Sequence, residues 1–68
     1  MIKIEIDSSN EGVQLLLDNE GVDEMINYLH FIKNNHESIH LVGSNELDEE
    51  TSQNGNKIIK HVKIVHVS

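Results

Sequence analysis

The chain has 68 residues, with twelve acidic side chains against five lysines, no arginine and no cysteine, for a formal charge of −7. A domain of that size buries only about 60% of the surface its unfolded chain exposes, which leaves little room for a deep substrate pocket. Disulfides and thiolate metal sites are excluded outright, and the charge argues against nucleic acid and anionic membranes, whose phosphates are bound by lysine and arginine.

Met1 to Asp7 alternates, with Ile2, Ile4 and Ile6 on one face and Lys3, Glu5 and Asp7 on the other. This predicts a half-buried strand. It also lacks the apolar block of a signal peptide, so the expected residence is cytoplasmic. Ser8 to Gly12 is a turn cluster in which Gly12 can take a positive φ. Val13 to Leu17 reads in two ways. It can pair with the first strand across that turn. It can also open one long helix running to Asn35, with Ser8 and Glu11 resembling a capping box. The polar run Asp18-Asn19-Glu20-Gly21 interrupts such a helix and offers Asp18 or Asn19 as the N-cap of a shorter one. Strand followed by helix is the preferred reading.

Val22, Met25, Ile26, Leu29 and Ile32 recur at the spacing of one helical face. Glu20, Asp23 and Glu24 lie in the first turns, where the helix dipole favours negative charge. Ser38 to Val42 predicts a short strand. Gly43 to Asn56 reads as a polar loop, acidic throughout its middle, with Asn54-Gly55 as a turn pair. Lys57 to Val67 predicts a long β-branched strand with apolar residues on both faces. One helix covers one face of a sheet. The other face is therefore exposed, or meets a second molecule, or the strand carries a bulge that reverses its pattern. The expected architecture is a single α+β domain over residues 1–68: a small, mainly antiparallel four-stranded sheet with one helix on one face. Its order is β-β-α-β-β, or β-α-β-β if residues 13–17 are helical.

Five histidines (His30, His36, His40, His61 and His66) raise the question of a metal. His36 and His40 have the i, i+4 spacing of a helical pair, but the helix is expected to end before Ser38. His61 and His66 fall on opposite faces of a strand. A structural zinc closes with four ligands, and nothing here supplies them, so no metal or cofactor is expected. The carboxylates of residues 46–50 lack the alternate spacing and glycine turn of a calcium loop. No serine lies in a Gly-x-Ser-x-Gly elbow, and no glycine-rich phosphate loop occurs. A catalytic site is accordingly not expected, and the chain reads as a protein-binding domain.

The helix opening Asn19-Glu20-Gly21-Val22-Asp23-Glu24-Met25, the strand and loop Ile39-His40-Leu41 and Gly43-Ser44-Asn45-Glu46-Leu47, and the closing Ile59-Lys60-His61-Val62-Lys63-Ile64 together resemble the immunity protein 32 family of bacterial polymorphic-toxin systems. The resemblance covers nearly the whole chain through short, non-catalytic motifs. The middle loop here is shorter than the family leads one to expect and has no tryptophan. It implies a cytoplasmic inhibitor of a secreted toxin, in many cases a nuclease with a basic cleft.

The charge itself is polarised. Residues 1–56 hold all twelve acids and two lysines; residues 57–68 hold three lysines and no acid. The expected partner-binding residues are Glu46, Asp48, Glu49 and Glu50, with Leu47 as an apolar anchor. A homodimer through the final strand is the competing expectation.

Overall fold

The computed structural model describes residues 1–50 and 55–67. Five segments of strand and one helix follow in the order β1 (Ile2–Ile6), β2 (Val13–Leu17), α1 (Asn19–Asn35), β3 (Ile39–Val42), β4 (Lys57–Ile58) and β5 (His61–Ile64). The fold is α+β, and residues 13–17 are a strand.

β1 and β2 form an antiparallel hairpin pairing Ile2 with Leu17 and Ile6 with Val13. Asp7 organises its turn. The carboxylate accepts from the Ser9 hydroxyl (2.6 Å), the Ser9 N–H (3.1 Å) and the Glu11 N–H (3.3 Å). The left-handed residue is Asn10 (φ 61°), not Gly12. Asparagine tolerates that region because its short side chain can bond locally. Gly12 is needed for a different reason: a Cβ there would overlap the Asp7 carboxylate.

Asp18 caps α1 by accepting the Gly21 N–H at 2.7 Å, and the Met1 amine donates to the same carboxylate oxygen at 2.6 Å. A Cβ on Gly21 would run into the backbone carbonyl of Met1. Glycine thus lets the first turn of the helix sit directly on the end of β1. The helix ends at Asn35, and His36 closes it in the left-handed region (φ 53°), its N–H donating to the Ile32 carbonyl. The helical i, i+4 pairing of His36 with His40 does not form.

The helix is rotated from the predicted face. Gly21 and Ile32 are buried, while Met25 and Tyr28 are half-buried against the core. Val22, Ile26 and Leu29 are exposed. The close approach at Gly21 sets this rotation, because the residues that follow it at i+4, i+7 and i+11 must share its side.

The strands form two sheets, not one sheet of four. The first has the order β2-β1-β4 and the second pairs β3 with β5, all antiparallel. The predicted final strand is therefore divided. β4 pairs with Glu5 and Ile6, the chain bends through Ile59 and Lys60, and β5 pairs with β3. The bend is pinned on both sides, by the Ile59 N–H donating to the Ile4 carbonyl (2.8 Å) and the Gly43 N–H donating to the Lys60 carbonyl (2.7 Å). It shifts the alternation by one residue. Lys60 and His61 are both exposed, and Ile59, Val62 and Ile64 all pack on the core. This resolves the two-faced pattern of residues 57–64. Val65 and Val67 lie beyond β5 and are exposed.

The core is Ile2, Ile4, Leu41 and Leu47, with Leu17, Met25, Tyr28, Ile39, Ile59, Val62 and Ile64 around it. Glu5 is buried on the other face of the first sheet. It is held by Asn56 Nδ2 (3.1 Å) and Lys3 Nζ (3.7 Å), so its charge is compensated where it is desolvated. No helix among the described residues is long and apolar enough to cross a membrane.

Candidate functional site

The segment after β3 is fastened by its own backbone. Ser44 takes a left-handed conformation (φ 69°), Gly43 and Leu47 bridge in parallel, and the Leu47 N–H donates to the Val42 carbonyl at 3.1 Å. The Asp48 N–H then donates to the Ile2 carbonyl at 2.7 Å. These bonds lay residues 44–48 beside the start of β1.

Two of the acidic side chains help to build this turn. Glu46 Oε1 accepts the Val42 N–H (3.0 Å), and Asp48 Oδ1 accepts the Glu50 N–H (3.1 Å). Among the described residues, the second oxygen of each carboxylate takes no hydrogen bond and can be offered to a ligand. Both side chains are half-buried, whereas Glu49 and Glu50 are exposed, with the Glu49 carboxylate lying over Gly43.

Leu47, expected as an exposed anchor, is 3% exposed and belongs to the core. The hydrogen bonds on either side of it turn its side chain inward, so it cannot reach into a partner. As the loop's one large apolar residue it is the loop's own attachment.

The fold adds to Glu46 and Asp48 two residues that sequence spacing did not select. Glu24 and Tyr28, one turn apart on α1, face the loop across an open groove of about 620 Å³. Met1, Ile2, Asn45 and Leu47 complete its walls. Three carboxylates and a phenol thus share one concavity. The Tyr28 phenol is pushed above its ordinary value first by burial, then by the negative charges of Glu24 and Glu46. The one signal in the sequence that could have found this pair is their i, i+4 spacing on a helix whose rotation was unknown.

The histidines form two edge-on ring pairs, His36 with His66 (centroids 4.7 Å apart) and His40 with His61 (4.9 Å). Neither joins the groove. Among the described residues, no group of three or more histidine, aspartate or glutamate side chains is placed to hold a metal ion.

Comparison with protein-family models, with curated proteins and with solved structures returns no match.

Proposed function

We propose that this chain is a protein-binding domain of the immunity type, which inhibits a basic cognate toxin by taking a lysine or arginine side chain of that toxin into the groove between α1 and residues 45–48. The observation that carries the reading is that Glu24, Glu46 and Asp48 line one open groove together with Tyr28. Carboxylates offer charge-assisted hydrogen bonds to a guanidinium or ammonium group, and a phenol ring offers it a π face. Glu49 and Glu50, exposed beside the groove, extend the negative field and steer the approach of a basic surface. The family resemblance supplies the toxin as partner, and the charge of −7 suits a basic one.

The test is association kinetics with the toxin domain encoded beside this chain. Replacing Glu24 and Glu46 by glutamine and Asp48 by asparagine should slow association at low salt by about tenfold or more, with the difference shrinking as salt is added. Unchanged kinetics in that triple variant would exclude the groove. The absence of any complex with the intact chain would exclude the immunity reading.

A second reading, self-association, is favoured by the free edge of β2. Among the described residues that strand pairs on one side only, and its Val13 and Leu15 are 64% and 54% exposed.

A further inference from the structure

Four of the five histidines are drawn into ring pairs, and the chemistry of two adjacent imidazoles is independent of the acidic groove. His40 lies in β3 and His61 in β5. The register sets His40 opposite Lys63 and Val42 opposite His61, so the two imidazoles are diagonal neighbours on one face of an antiparallel ladder. The other face carries Leu41, Val62 and Ile64 toward the core, and both histidines are exposed. Their rings meet at 4.9 Å and 80° in open solvent. Burial therefore does not account for the pairing.

The geometry points to a two-histidine chelate at His40 and His61 for a borderline divalent transition-metal ion, of the class of Cu²⁺, Ni²⁺ and Zn²⁺. An ion bonded at about 2.0–2.1 Å to each imidazole nitrogen stands about 3.2 Å from each ring centre. With an angle of about 90–110° between the two bonds, the ring centres are then about 4.5–5.2 Å apart. The observed separation of 4.9 Å falls inside that interval.

Imidazole selects this class over Mg²⁺ and Ca²⁺, which take oxygen ligands, and Cu²⁺ binds most tightly within it. Two protein donors leave the remaining positions to water or to a donor from another molecule. This is an open chelate, unlike the four-ligand structural zinc that the sequence does not supply. Lys63, on the same face and directly opposite His40, places a positive charge near the ion and weakens the site.

The experiment is calorimetric titration of the full, untagged chain carrying His66→Ala, which disables the second ring pair, with CuCl₂, NiCl₂ and ZnCl₂ in turn. Saturable binding of one ion, tightest for Cu²⁺, is expected. Adding His40→Ala or His61→Ala should weaken it at least about tenfold, as loss of one of two linked donors does. His30→Ala should leave it unchanged and Lys63→Gln should strengthen it. His30, His40, His61 and Lys63 are exposed and His66 is half-buried; an unchanged amide spectrum confirms that each variant is folded. A His66→Ala chain that binds none of the three ions, or one whose binding is indifferent to His40→Ala and His61→Ala, overturns the proposal.

Discussion

Asp7 shows how one side chain can define a turn. Hydrogen bonds from the Ser9 hydroxyl first, and then from the backbone of the turn, hold its carboxyl below the ordinary value of 3.8. A depressed carboxylate contributes stability that is present in full above its unfolded value and is lost as the pH falls through its lower folded value. Urea unfolding of the chain and of Asp7→Ala should therefore differ at neutral pH and converge as the pH falls through the acid range below 3.8. A difference that persists unchanged in acid would remove the charge of Asp7 from the turn. Tyr28 reports the groove in the same way and, as the only tyrosine, can be titrated by ultraviolet absorbance. Glu24→Gln and Glu46→Gln should each lower its midpoint, while burial keeps it above the ordinary value in both. A midpoint indifferent to both substitutions would mean that the carboxylates do not converge on the phenol.

At the scale of elements, the loop after β3 is held by Leu47. A buried leucine truncated to alanine costs about 2–5 kcal/mol, a large part of the stability of a domain this small. Leu47→Ala should thus lower the denaturation midpoint sharply, whereas an exposed anchor would leave it unchanged. Leu47 also marks where sequence reading stopped. Composition named it correctly as the loop's one large apolar residue, but its direction depends on the bonds to Val42 and Ile2, which come from distant parts of the chain. β1, the hairpin and the ends of α1 were legible because alternation, turn residues and caps are local. The rotation of α1 was not, since Val22, Ile26 and Leu29 match the helical period as well as Met25 and Ile32 do. A contact at Gly21, far from any apolar pattern, decides between them. The division of the last strand was legible only as one of three alternatives, because a bend between β4 and β5 is visible in the sequence merely as a conflict of faces.

At the scale of the molecule, one helix and two small sheets leave apolar side chains exposed among the described residues, and of these elements β2 is where backbone and side chains are open together. Val13 and Leu15 share a sheet face with Ile6 and Ile4 by register, yet remain exposed at the edge. Edge strands in natural proteins are commonly guarded by charge, proline or a bulge. Residues 13–17 contain neither charge nor proline, in a chain where twelve of 68 residues are acidic. An antiparallel pairing of two copies centred on Leu15 would set Val13 against Leu17 of the second copy and bring no like charges opposite each other within the strand. Opposing it is the repulsion between two molecules that each carry −7, and salt screens that repulsion with a Debye length of about 8 Å at physiological ionic strength. Sedimentation should therefore show association that strengthens with both protein and salt concentration. Leu15→Lys should abolish it without loss of folding, because Leu15 is exposed in the single chain. An association that weakened with added salt would instead place an ion-paired surface at the contact, such as the lysines of residues 57–63 against the acidic loop.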